Sequence, residues 1–457
     1  MHNKTKFFIC YMVAPLGGLF TLYSALSHPD HLNQRSQVKD QPQIPSAESK
    51  PDVEGEIVKT TPLHQECFPR EFIAFASEGY DSKTLFSQTT FTLLQDFDYV
   101  EASRIKACVH DLEALVKDEK VEFFVSHGGS NERERNFPRF LYVRDDDSDP
   151  NPALEGYWAH TSTHAEVPAQ KGLTGTAIKI GVLDSGVNPN VPQFQKQIKE
   201  FRDFVYGKKE NYDDKSHGTF VIGIITKVVP AADVFVYKIH DREGFNYMTD
   251  VLEGLDQVIA ADLDLINNSW GLSEARELEG MTWADGNLVL AEALERVAKN
   301  GTIIVASAGN GSFYGSFDDY KNSSASLQLP DGSPYVISVG ATDVSGEIAD
   351  FSDLDAHIFA PGDLVYSTIN AKEHQLWSGT SFSAPFVTAA VAVIQDYAKK
   401  NDYSFSQDEI LKILERSAAD QSSTLVFSSG KELQHYFKAL DYGDLVMYLE
   451  KNYRLEE

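Results

Sequence analysis

The stretch Ile178-Lys-Ile-Gly-Val-Leu-Asp184-Ser-Gly186 decides how this chain is read. Its nearly continuous apolar run is too short for a helix and fits a strand covered on both faces. The strand delivers a carboxylate at its end, and Gly186 permits a tight turn just beyond it. Similar runs end at Lys238, Asn267 and Ala308, with helix-like stretches between them. That alternation predicts an α/β fold, a parallel sheet flanked by helices. In such a sheet the carboxyl ends of the strands gather side chains at one edge, so Asp184 stands where a site forms. An aspartate after a strand is also an ordinary turn residue.

Three further segments carry polar groups towards the same kind of edge. In Ser216-His217-Gly218-Thr219 an imidazole opens a helix-like run through Val221, Gly223 and Ile225; a histidine there serves equally as a cap. Ser307-Ala308-Gly309-Asn310 follows the strand-like Thr302-Ile-Ile-Val-Ala and ends in a carboxamide donor, which is also a common turn residue. Gly379-Thr-Ser381-Phe-Ser-Ala-Pro385 opens a long apolar helix, with Pro385 expected in its first turn. The free amides of that helix end favour a developing oxyanion, although serine is a frequent helix cap as well. Elsewhere, apolar spacing predicts a helix over 287–300 stopped by Gly301, and Ser406 with Glu409 has the spacing of a capping box.

Together Gly-Val-Leu-Asp184-Ser-Gly, Ser-His217-Gly-Thr, Asn268-Ser-Trp-Gly271, Ser-Ala-Gly-Asn310 and Gly-Thr-Ser381-Phe-Ser-Ala-Pro resemble the subtilisin-like serine proteases, in family order. The chain order Asp, His, Ser is the one known for subtilisin itself. The resemblance implies a serine endopeptidase working through an acyl-enzyme, with Asp184, His217 and Ser381 as catalytic triad and Asn310 in the oxyanion hole. It further implies that Ser269, Trp270 and Gly271 pair with an extended substrate, and that Ser307, Ala308 and Gly309 line the primary specificity pocket. Trp270 reads either as a subsite wall or as core packing. The chain departs from the family pattern at Phe220, Ile222 and Phe386, none of which replaces a proton-transfer group. The short connection before Asp233 omits the loop that holds calcium in many relatives. No cofactor is expected for the chemistry; a structural calcium is compatible with the acidic surface, and no metal ligands are assigned.

At 457 residues, two or three folded units are expected. A formal charge of −28, from 68 acidic and 40 basic residues, repels phosphate backbones and argues against nucleic acid as a partner. No Gly-rich phosphate loop is present, which argues against a nucleotide-binding protein. The cysteines, Cys10, Cys67 and Cys108, all precede the candidate catalytic residues, so no disulfide is expected in the catalytic region.

Residues 1–27 carry Lys4 and Lys6, an uncharged run from Phe7 to Ser27 and small residues at its end, the pattern of a signal peptide for secretion. An uncleaved membrane anchor over 7–27 is the alternative, weakened by Pro15, Gly17 and Gly18. Residues 28–66 are polar and proline-bearing, a disordered linker. Over 67–128, strand-like Glu71–Ser77 and Val121–Val125 enclose a short amphipathic segment, a small α+β unit. The family resemblance makes it an inhibitory propeptide and the protein a self-processing zymogen. Residues 129–149, with the run Arg144-Asp-Asp-Asp-Ser-Asp149, form an exposed connection to the catalytic domain over 150–457. Polypeptides are the expected substrates, the propeptide an intramolecular inhibitor, and membrane contact transient. The competing class is a catalytically inactive subtilisin fold that binds or regulates.

Overall fold

The structure, a computed structural model, describes residues 70–87, 91–126, 157–242, 244, 246–270, 283–310, 335–426 and 432–453. The expected signal segment, linker and exposed connection lie outside the described residues.

The first described stretch runs β1 (Arg70–Ala76), α1 (Ser82–Phe86), β2 (Thr92–Phe97), β3 (Ala102–Ala107), α2 (Val109–Lys117) and β4 (Val121–Ser126). Its four strands pair antiparallel in the order β2-β3-β1-β4. Side chains alternate across a strand, and β1 is apolar on both faces. Phe72, Ala74 and Ala76 pack with Leu85, Phe86 and Leu112 from the unit's own helices. Ile73 and Phe75 point the other way, into a core shared with the larger sheet.

That larger part runs α3 (Trp158–Ser162), α4 (Val167–Gln170), β5 (Lys179–Asp184), β6 (Ile198–Asp203), α5 (His217–Val228), β7 (Asp233–Lys238), α6 (Met248–Ala260) and β8 (Leu265–Asn268). It continues through α7 (Trp283–Lys299), β9 (Ile303–Ser307), β10 (Ile337–Thr342), β11 (Ile358–Pro361), β12 (Val365–Thr368) and β13 (His374–Trp377). The chain closes with α8 (Thr380–Lys400), α9 (Gln407–Ser417), β14 (Ala419–Val426), β15 (Glu432–Ala439) and α10 (Tyr442–Asn452). Among the described residues nine strands form one sheet in the order β14-β15-β11-β10-β9-β8-β5-β7-β6. All neighbours are parallel except the antiparallel edge pair β14–β15.

Alternation along the central strands builds two cores. Ile180, Val182, Leu265 and Val305 face the cluster that holds α5, α8, α9 and α10. Leu183, Ile266, Ile304 and Ala306 face α6 and α7, and there Ile73, Phe75, Phe97, Val100 and Ala102 of the small sheet join the same cluster. Polar contacts stitch this joint. Asp256 of α6 accepts the amides of Tyr99 and Val100, Gln95 donates to Glu253, and Arg296 of α7 bonds Glu101 at 2.6 Å and Glu122 at 3.0 Å.

The predicted helix ends are present. Ser406 and Glu409 form the reciprocal capping box of α9, and Gly301, with φ +97°, follows α7. Pro385 differs from expectation. Helix α8 starts at Thr380, so the proline is its sixth residue and lies in the second turn. A proline there removes the amide that would bond the carbonyl four residues back, which is Ser381. That carbonyl instead accepts the Ser269 hydroxyl at 2.7 Å. The helix survives because another element supplies the missing donor.

Candidate active site

β5 and β8 lie side by side in the middle of the sheet, and β9 follows β8. Their carboxyl ends carry Asp184, Ser269 and Ser307–Asn310, while α5 and α8 begin beside them with His217 and Ser381 near their amino ends.

His217 Nδ1 lies 2.8 Å from Asp184 Oδ1 and 3.0 Å from Oδ2. A proton on Nδ1 donates to the carboxylate and leaves Nε2 free to accept one. Asp184 is fully buried, and Oδ1 also accepts the Ser185 amide at 2.6 Å. Burial alone favours the neutral acid, but the neighbouring imidazole and the amide outweigh it and hold the carboxyl below its ordinary range. For His217, burial opposes the charged form, yet the Asp184 charge and hydrogen bond, with the Asp213 charge, raise its pKa above the usual imidazole value. Gly218 is sterically required between the two residues. A methyl group there would lie 2.2 Å from the Gly186 carbonyl oxygen and 3.2 Å from Asp184 Cβ.

Ser381 belongs to the same locality, since the ring of its neighbour Phe382 lies 5.3 Å from the His217 imidazole. Its hydroxyl donates to the Ser269 carbonyl at 3.2 Å, so the proton is directed at the end of β8. Without substrate, hydrogen bonds between catalytic groups are often long or poorly aligned and tighten only in the complex. Ser269 Oγ accepts from Asn267 Nδ2 at 2.9 Å, and Asn267 Oδ1 accepts from Thr388 of α8 at 2.9 Å. A buried polar chain thus fixes the start of α8 to the strand end.

Asn310 is oriented by a residue that sequence reasoning did not single out. The backbone amide and hydroxyl of Thr380 both donate to Asn310 Oδ1 at 2.9 Å. The carboxamide oxygen is engaged, and Nδ2 remains available near Gly379, where a methyl group in place of the glycine hydrogen would approach it to 3.5 Å. The threonine within Gly-Thr-Ser381 was visible, but its partner was not.

The remaining expected residues divide. Ser269 is buried, with its side chain turned to α8, and Trp270 is partly buried against the α6–α7 core. The indole nitrogen of Trp270 is buried with no hydrogen-bond partner among the described residues. Gly271 lies outside the described residues. Ser307 ends β9, Ala308 donates its amide to Val339, and Gly309 at φ +125° donates to Thr380 Oγ1 at 3.2 Å. Behind the site, fully buried Lys238 has its ammonium bonded to the Ser185 carbonyl, Asp214 and the His240 carbonyl at 2.7, 2.8 and 2.7 Å. Among the described residues no group of three His, Cys, Asp or Glu side chains is arranged to hold a metal ion.

An acid–base pair, a hydroxyl at a helix amino end and an oriented carboxamide can together perform acyl transfer. Comparison with known proteins agrees with that chemistry. The model of the subtilase family matches residues 175–433, more than half the chain. The alkaline protease of Shouchella clausii is 25% identical over 349 residues, covering 74% of this chain and 79% of its own. The major intracellular serine protease of Bacillus subtilis (strain 168) is 30% identical over 264 residues, covering 54% and 77%. A crystal structure of a lanthipeptide protease has the same fold, with a TM-score of 0.52 at 22% identity, covering 64% of this chain and 95% of that one. The chain belongs to the subtilase family and is a subtilisin-like serine endopeptidase.

Proposed function

We propose that this endopeptidase is exported as a zymogen and cuts polypeptides with Asp184, His217 and Ser381. The observation that carries the reading is the Asp184–His217 contact at 2.8 Å, formed beside the helix end that bears Ser381. His217 Nε2 takes the Ser381 proton as Oγ attacks the substrate carbonyl, and Asp184 holds the tautomer and stabilises the imidazolium. Asn310 Nδ2 and the Ser381 amide receive the oxyanion. The proton then passes to the leaving amine, and water repeats the sequence on the acyl-enzyme. Each step draws on side chains and a backbone amide of this chain, with water. In this reading Ser269–Gly271 pair with the extended substrate backbone, and Ser307–Gly309 line the primary specificity pocket.

The small antiparallel sheet is the inhibitory prosegment in this reading. Support comes from its apolar docking on α6 and α7. The Shouchella clausii alignment is also too long to fit between residue 150 and the chain end. Export is supported by the charge pattern of residues 1–27 and by Cys108, which is disulfide-bonded and therefore suited to an oxidising compartment. No helix among the described residues is long and apolar enough to cross a membrane.

Ser381→Ala is expected to abolish peptide hydrolysis and self-cleavage while the chain still folds. Turnover at the wild-type rate would refute the assignment. N-terminal sequencing of active enzyme from the medium tests the rest, because residues 70–126 still covalently attached to fully active enzyme would end the zymogen reading.

A further inference from the structure

The amino end of α5 is capped in an unusual way. Its N-cap residue Ser216 is left-handed, with φ +61°, and makes no side-chain capping bond. An N-cap serine normally supplies an acceptor to the first free amides of a helix. Here the acceptor comes from Asp213. Its Oδ1 accepts the amides of Ser216 at 2.8 Å and Lys215 at 3.1 Å, and its Oδ2 accepts the Thr219 amide at 2.8 Å and the Thr219 hydroxyl at 2.5 Å.

The same carboxylate reaches the other strand of the site. Ser185, the residue after Asp184, donates its hydroxyl to Asp213 Oδ1 at 2.8 Å and accepts the Gly218 amide at 3.0 Å. Thr219 Oγ1 in turn accepts the Asn188 amide at 2.9 Å. The chain just after Asp184 and the backbone on both sides of His217 are therefore laced through one side chain. Among the described residues the five hydrogen bonds to the Asp213 side chain come from neutral donors, and its charge is part of the field at His217.

We propose that Asp213 is a positioning residue of this protease, setting the angle at which His217 meets Asp184 and adding a second negative charge behind the imidazole. The proposal rests on His217 being the general base. A misplacement of about 1 Å in a catalytic group costs roughly 10²-fold in rate, so rigid capping of the turn that carries the base bears directly on kcat. Among the described residues the ionisable groups around His217 are Asp184 from β5, Asp213 and Lys215 from the preceding turn and His240 after β7; burial keeps His240 neutral by lowering its pKa to about 4. Asp214 is paired with Lys238, and α8 contributes the uncharged Phe382. Removal of the Asp213 charge leaves Asp184 as the nearby anion, and the His217 pKa falls.

The test is the pH dependence of kcat/KM for Asp213→Asn, Asp213→Glu and Ser185→Ala, each normalised by active-site titration. Asp213→Asn is expected to lower kcat about 10²-fold, with KM nearly unchanged, and to move the acid limb to lower pH. Asp213→Glu keeps the charge and should leave the limb in place. Ser185→Ala removes one strut, lowering kcat roughly 5- to 10-fold without moving the limb. An unmoved limb in Asp213→Asn overturns the proposal, as does a wild-type kcat in Ser185→Ala. If Asp213→Asn yields no titratable enzyme, the Ser185→Ala kcat decides alone. Full activity in Ser381→Ala would instead remove the reading beneath it, which keeps the two failures distinct.

Discussion

The carbonyl of Ser381 gives a sharp test of how the proposed nucleophile is seated. Pro385 withholds the helical amide from it, and the Ser269 hydroxyl at 2.7 Å fills that place. Ser269→Ala strands the carbonyl and also removes the acceptor for Asn267 Nδ2, which sits 2.9 Å from Ser269 Oγ. A buried polar group without a partner costs about 1–3 kcal/mol, so two such groups with some relaxation cost about 2–4 kcal/mol. Pro385→Ala restores an amide four residues beyond Ser381 and should return part of that loss. In a Ser381→Ala background, which stops self-digestion and keeps the carbonyl, urea unfolding of both single variants and the double variant gives the coupling. The double variant is expected to be more stable than the sum of the singles by about 1 kcal/mol. Additivity within about 0.3 kcal/mol would refute the idea that the two residues compete for one acceptor.

Thr380→Val removes the hydroxyl that holds Asn310 Oδ1, and kcat should fall about tenfold with KM little changed; Asn310→Ala should cost about 10²- to 10³-fold in the same peptide assay. The acid limb of kcat/KM should lie above the ordinary imidazole pKa of 6.5, because His217 as the proposed general base must be neutral and its pKa is raised; a limb below that value would contradict the proposal. His160 is a separate acid-sensitive point. Both its ring nitrogens are buried without a hydrogen-bond partner among the described residues, its ring packs edge-on to Phe386, and burial, then the Lys227 charge, lowers its pKa to about 4. The unfolded chain binds the proton first, so stability present above about pH 6.5 is lost as pH falls towards 4. His160→Phe should remove part of that loss in thermal melts at pH 7 and pH 5, the remainder coming from groups such as His240.

Much of the catalytic region was legible because its signals are local. The run ending at Asp184 is buried along its length, and the glycines at 186 and 218 mark backbones that approach too closely for a side chain. The family pattern carried the relation between distant segments, which no spacing within one segment reveals. Three things stayed hidden for the same reason. The cap supplied by Asp213, the hold of Thr380 on Asn310 and the Ser269 hydroxyl on Ser381 are contacts between segments, invisible until the sheet brings them together. Pro385 lies one turn later than expected because sequence rules allow proline only where its amide is unneeded, while the fold meets the need from Ser269, just beyond β8. The edge hairpin β14–β15 also escaped notice, since polar stretches such as Asp420–Thr424 show no apolar alternation.

Arg296 bears on what the proposed removal of the small sheet would leave behind. Its guanidinium meets Glu101 and Glu122 from the small sheet, but also Glu292 one turn back on α7, at 2.7 Å. Were the small sheet to leave, the arginine would keep its own counter-ion, and no lone cation would be left behind. Across the joint, burial raises the pKa values of Glu253 and Asp256, so fresh hydration would relieve both carboxyls. The seam thus joins a shared apolar core to charges that would each keep a partner or regain water on parting.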